Sequence, residues 1–117
     1  MKTRSAKNKG KRLQNDVRDL ILETFKELEP DDVRSTTMGD SGEDVLLSPA
    51  ARKLFPFSVE CKNQEKLNIW KSLEQSEQDN RDEGKYPLLV FSRNYTPTYV
   101  ALKIEDFMEL LEKREDN

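Results

Sequence analysis

The sequence predicts an α/β or α+β domain, a central mixed β-sheet of about five strands flanked by helices. Three observations carry that expectation. Apolar residues recur at spacings of three and four early in the chain, continuous apolar runs follow, and the order reads helix, three strands, helix, two strands, helix. At 117 residues the chain is long enough for one domain with a real core and too short for two of ordinary size. With 34% apolar and 37% charged residues, that core must be small.

The elements follow in order. Leu13, Val17, Leu20, Ile21, Phe25 and Leu28 mark an amphipathic helix that ends before Pro30. Val33 to Thr36 reads as a short strand, Gly39-Asp40-Ser41-Gly42 as a turn, and Asp44 to Leu47 as a second strand. Ser48-Pro49 supplies a helix cap and a first-turn proline, so Pro49 to Leu54 becomes a short helix closed off by Pro56. Phe57 to Lys62 is the third strand, and Lys66 to Arg81 a helix whose Leu67, Trp70 and Leu73 face the core. Pro87 to Ser92 is a buried strand, Tyr99 to Leu102 its short neighbour across Asn94-Tyr95-Thr96-Pro97, and Ile104 to Leu111 begins a terminal helix.

Composition removes whole reaction classes. Without histidine there is no Ser-His-Asp triad, no Cys-His pair and no His-ligated zinc, and the lone Cys61 cannot build a thiolate zinc site or an internal disulfide. Any catalysis must use carboxylates, lysine, glutamine and a hard cation held by oxygen. No apolar stretch of about 18 residues exists to span a membrane, and Met1 to Lys7 lacks the apolar core of a secretory signal. The net charge of −3 conceals asymmetry, because six bases and no acid lie in the first twelve residues, which leaves −9 on the remainder. Residues 1–12 are expected to be a flexible basic arm that holds phosphate, and residues 13–117 a single domain.

The strand Phe57-Ser58-Val59-Glu60-Cys61-Lys62 concentrates the chemistry. A strand period of two points Phe57, Val59 and Cys61 one way and Ser58, Glu60 and Lys62 the other, with Glu60 and Lys62 about 7 Å apart. Unpaired charges in such apolar company are costly. Asp44 lies one short helical turn upstream, and adjacent strands would bring the two carboxylates together. With the Cys61 main-chain carbonyl they would suit Mg²⁺, with Mn²⁺ as a substitute. Lys62 could then position water or stabilise charge on phosphate, and phosphodiester hydrolysis is the natural product. Cys61 itself reads as a small buried hydrophobe.

With Asp44 in Gly42-Glu43-Asp44-Val45 and the E-x-K half in Glu60-Cys61-Lys62, the chain resembles the PD-(D/E)XK nuclease superfamily, over about Leu13 to Leu102. The resemblance implies a restriction-endonuclease-like core, metal ligation by Asp44 and Glu60, and a catalytic ammonium at Lys62. It also implies a glutamine on the following helix, for which Gln75 is the candidate and Gln78 the weaker choice. Related nucleases often carry a glutamate on the first helix, where this chain has Gln14, a weaker cation ligand.

The resulting expectation is a Mg²⁺-dependent DNA endonuclease, selective for backbone or structure, such as branched or Holliday-junction-like DNA, or a nicking enzyme. The compact build resembles phage-type and Holliday-junction-resolvase-like members, which implies a homodimer, a role in phage DNA recombination, repair or replication, and a place in the host cytoplasm. Lys7, Lys9, Lys11, Arg12, Gln14, Arg52 and Lys53 are the candidate DNA contacts. The alternative is a non-catalytic nucleic-acid-binding module with a nuclease-like fold, and a third reading is an interaction protein whose acidic terminal helix and basic arm bind unlike partners.

Overall fold

The series Leu13, Val17 and Ile21, all buried, anchors the first helix, α1 (Lys2–Thr24), in a computed structural model that describes residues 2–36, 43–80 and 85–115. The helix starts at Lys2 rather than Leu13, so the backbone of the basic segment forms its opening turns. It also stops at Thr24 rather than Leu28. There the Thr24 hydroxyl donates to the Leu20 carbonyl at 2.7 Å, and Leu28 reaches the core from a following turn.

A 3-10 turn (Pro30–Asp32) leads to β1 (Val33–Ser35), which pairs antiparallel with β2 (Val45–Leu47) in the register Val33 with Leu47 and Ser35 with Val45. The expected turn at Gly39 to Gly42 lies outside the described residues. The short helix α2 (Pro49–Leu54) begins as the sequence predicts, because the Ser48 hydroxyl accepts the Ala51 N–H at 3.1 Å and donates to the Asp32 carboxylate at 2.6 Å. That carboxylate also accepts the Glu29 N–H at 2.7 Å. The two bonds, Ser48's first, hold the Asp32 carboxyl below its ordinary range. Their contribution is present above that range and lost as pH falls through the lowered value. Ser48→Ala should cost about 1 kcal/mol of stability through the lost cap, measured by urea denaturation.

The central strand β3 (Phe57–Asn63) lies parallel to β4 (Tyr86–Ser92), and β4 lies antiparallel to β5 (Tyr99–Ala101). Between β3 and β4 the chain forms α3 (Ile69–Asn80), a crossover of the kind a parallel pair needs. Pro87 is tolerated within β4 because β5 reaches only Leu89 to Phe91, leaving the start of β4 with one partner strand. The five strands therefore form a mixed three-stranded sheet in the order β3-β4-β5 and a separate two-stranded hairpin. The reason lies at Asp44. Its N–H donates to the Val59 carbonyl at 2.8 Å, but its side chain, rather than a further strand residue, accepts the Cys61 N–H at 2.7 Å. The hairpin meets β3 at Asp44 and then diverges.

The core fills the space between α1 and the strands with Val17, Ile21, Val33, Val45, Val59, Cys61, Leu88 and Val90. On the opposite face α3 turns Ser72 and Ser76 inward. Trp70 is accordingly not in the core: it sits roughly 140° around the helix from that buried pair and is 82% exposed. The terminal helix α4 (Ile104–Glu115) buries Asp106 but leaves Ile104, Phe107, Met108 and Leu111 exposed. No helix among the described residues is long and apolar enough to cross a membrane.

Candidate active site

Asp44 sits where the hairpin meets β3. Its main-chain carbonyl accepts both the N–H and the hydroxyl of Thr36, at 3.0 and 3.2 Å, which ties the residue to β1 while its carboxylate caps β3. In an extended strand a residue's C=O leaves by the same edge as its N–H. The Cys61 carbonyl therefore shares the edge that Asp44 covers.

Alternation along β3 places Val59 and Cys61 in the core with α1 and leaves Ser58, Glu60 and Lys62 on the α3 face. Glu60 is only 8% exposed, and its Oε2 atom is buried with no hydrogen-bond partner. Burial pushes its carboxyl above the ordinary range; the Lys62 charge opposes the rise, and the Asp44 and Asp79 charges add to it. Asp44 behaves alike. Burial raises its carboxyl while the Cys61 N–H and the Lys62 charge pull it down. Burial, then the two carboxylates, also pushes the Cys61 thiol up, so this cysteine stays a neutral core group and no nucleophile.

The electrostatics show that Lys62 acts on both carboxylates, yet among the described residues its ammonium makes no hydrogen bond and no ion pair within 4 Å. It is half-buried on the Glu60 face. The site thus joins two carboxylates under strain from burial, a main-chain carbonyl and an uncommitted cation. No group of three or more Asp, Glu, His or Cys side chains converges into a metal cluster among the described residues. Two carboxylates plus a carbonyl nevertheless fit a hard divalent cation that keeps several waters, and the orphaned Glu60 Oε2 is the atom such an ion would satisfy.

The other predicted residues are distributed unevenly. Gln14 is 3% exposed and accepts the Ser35 hydroxyl at 3.4 Å. Lys11 donates to the same hydroxyl at 2.8 Å and to the Thr36 carbonyl at 2.7 Å, so its ammonium anchors α1 to the end of β1. Arg52 is likewise engaged within the fold: its guanidinium grips the Glu43 carboxylate at 2.9 and 3.2 Å and donates to the Phe57 carbonyl at 2.8 Å. Arg12 and Lys53 are exposed, Lys9 is half-buried, and the Lys7 side chain lies outside the described residues. Gln75 is exposed on α3, one turn before Asp79.

Sequence reasoning missed Glu43, which pairs with both Arg52 and Lys85, and Asp79, whose charge reaches Glu60. A helical period of seven from Ser72 through Ser76 to Asp79 was the available signal for the latter. A family model described as "Phage putative PDDEXK endonuclease" matches residues 5–117. No curated protein and no solved structure matches the chain.

Proposed function

The chain belongs to the phage PDDEXK endonuclease family, and from that premise we propose that it hydrolyses DNA phosphodiester bonds at Asp44, Glu60 and Lys62 with Mg²⁺, for which Mn²⁺ can substitute. The observation that carries the proposal is the buried, unpartnered Glu60 carboxylate beside Asp44 and an uncommitted Lys62. As a structural pair these acids would be a poor choice, since each charge is disfavoured by burial. As ligands they are preorganised.

Asp44 and Glu60 would hold the cation with the Cys61 carbonyl, and when bound it supplies Lewis-acid polarisation of the phosphate and activation of water. Lys62 directs its ammonium to a non-bridging phosphate oxygen or to the attacking water, where charge and proton move in the transition state. Gln75 is the proposed aid to water positioning. Gln14 braces the end of β1 through Ser35. The exposed Arg12 and Lys53 and the basic opening turns of α1 draw in the phosphate backbone, aided by the positive end of the helix dipole. This backbone-weighted binding favours branched or nicked DNA over a long sequence-specific target, in phage recombination, repair or replication within the host cytoplasm. Incubation with supercoiled plasmid tests the reading: cutting should require Mg²⁺ or Mn²⁺ and stop with EDTA, and cutting in EDTA at the same rate would refute it.

Two copies are proposed to act together. The exposed apolar face of α4 borders a groove of about 680 Å³ whose walls include Leu20 and Phe25 of α1, Val100 of β5 and Phe107. Arg114 lines that groove, and α4 carries the exposed acids Glu105, Glu109 and Glu112. One chain thus carries both an apolar ridge and an apolar groove, the self-complementary pairing a two-fold dimer uses. Sedimentation should show a dimer that Phe107→Glu converts to monomer; a wild type that is monomeric at all concentrations would rule the dimer out.

A further inference from the structure

The ends of β3 and β4 farthest from α2 frame a second polar depression, of about 370 Å³, on the face of the sheet opposite Glu60. It is lined by Arg12 from α1, Asn63 from β3, and Ser92, Arg93, Tyr95 and Thr96 around the β4–β5 turn, with Asp16 as its one carboxylate. Asn63 follows Lys62 directly, and strand alternation turns its side chain to the other face, so the depression lies at the same end of β3 as the proposed catalytic lysine but across the sheet from it. The Asn63 Oδ1 atom is buried there with no hydrogen-bond partner. Among the described residues the Arg12 and Arg93 guanidinium groups have no ion-pair or hydrogen-bond partner either.

Tyr95 sits at the crest of the turn, fully exposed at 105%, with a left-handed φ of 63°. That conformation suits glycine or asparagine and is disfavoured for a bulky aromatic. The turn enforces it. The Arg93 N–H donates to the Thr96 hydroxyl at 3.1 Å, that hydroxyl donates back to the Arg93 carbonyl at 3.0 Å, and the Asn94 N–H is held by the Glu65 carboxylate at 2.7 Å. A rigid turn thus displays an aromatic ring that packs on nothing, beside two uncommitted guanidinium groups.

We infer that this depression is a binding subsite for an unpaired nucleotide of a strand that passes the end of β3: Tyr95 stacks on its base, Arg12 and Arg93 hold its phosphate, and Asn63 lies at its floor. Base stacking requires a base free of its duplex partner, so the subsite selects frayed, branched or single-stranded DNA over intact duplex. That the bound strand is the one cut at Lys62 rests on the nuclease reading, but binding can be measured without it.

The test uses the full chain in EDTA, where no metal-dependent cutting occurs, and fluorescence anisotropy with a labelled 12-nucleotide single strand and the matching blunt duplex. Tyr95→Gly should weaken single-strand binding about tenfold and spare duplex binding, while Tyr95→Phe stays within about twofold of wild type. Because glycine adopts the left-handed turn without strain, Tyr95→Gly should melt no lower than wild type. Arg93→Gln should reduce the slope of log affinity against log salt by about 0.7 for the single strand. Single-strand affinity unchanged in Tyr95→Gly, equal losses on both DNAs, or a salt slope unmoved by Arg93→Gln would each overturn the subsite. If wild type never cuts DNA yet shows this binding pattern, the nuclease reading fails and the subsite stands.

Discussion

Lys62→Ala is expected to slow plasmid cleavage by about 10²–10⁴-fold while leaving the fold intact. The separation of activity from stability follows from where Lys62 lies. It is half-buried on β3, its charge reaches Asp44 and Glu60, and it donates no hydrogen bond and forms no ion pair among the described residues. Truncation removes no hydrogen bond or close ion pair among the described residues, and the strand stays paired with β4 from Phe57 to Asn63, although the charge that offsets burial of the two acids is withdrawn. The loss should fall on kcat, because an ammonium acting on the transition state contributes little to ground-state DNA binding, which is proposed to come from exposed bases elsewhere. Single-turnover cleavage of supercoiled plasmid, with the unfolding midpoint recorded on the same sample, checks both halves. A variant that folds normally and cuts at the wild-type rate would remove Lys62 from the mechanism.

Glu60→Gln should abolish metal-dependent cleavage and, in EDTA, make the protein more stable. Burial disfavours the Glu60 charge, and Glu60→Gln removes that charge while keeping the shape, so the unfolding midpoint should rise. The pH dependence has a definite sign. Burial raises the folded-state value of Glu60, so its ionised form weakens the fold above that raised value, and the penalty vanishes once pH drops below the ordinary carboxylate range. The stability gap between variant and wild type should be widest near neutral pH and close as the wild type takes up a proton on acidification. Thermal unfolding in EDTA at about pH 7.5 and pH 5 measures it; a variant less stable than wild type at neutral pH would show that Glu60 serves the fold instead.

Most of the secondary structure was legible because each strand or helix carries its own local signal. Ser48-Pro49 capped α2 as read, and the alternation of β3 sorted Val59 and Cys61 from Glu60 and Lys62. The boundaries of α1 were not legible, since its amphipathic pattern begins at Leu13 while the preceding segment, with Thr3, Ser5, Asn8 and Gly10, carries no such signal, and helix ends are poorly marked in sequence. A single five-stranded sheet was the natural expectation from strand count, but no pattern announces that a side chain of Asp44 takes a strand's hydrogen bond and splits the sheet. Trp70 misled because bulk and apolarity suggest core, whereas the inward face of α3 is serine.

The candidate site divides in the same way. Asp44, Glu60 and Lys62 were readable from spacing and strand alternation, and the structure brings their charges into mutual reach. Long-range partners were not readable. Arg52 looked like a free phosphate contact until Glu43 and the Phe57 carbonyl were seen to hold it, and Lys11 until Ser35 and Thr36 did. Tyr95 had no sequence signal at all, because its left-handed φ and full exposure emerge only once the turn is closed by Thr96 and Glu65.

Asp44 and Glu60 are proposed to hold a divalent cation jointly, beside Lys62. Calorimetric titration of Mn²⁺ into wild type, Asp44→Asn and Glu60→Gln tests it without DNA. Asparagine can still accept the Cys61 N–H, and glutamine keeps the shape of Glu60, so both variants should fold. Saturable binding in the wild type and none in either variant is the predicted result. Mn²⁺ binding of equal affinity in all three proteins would contradict the account.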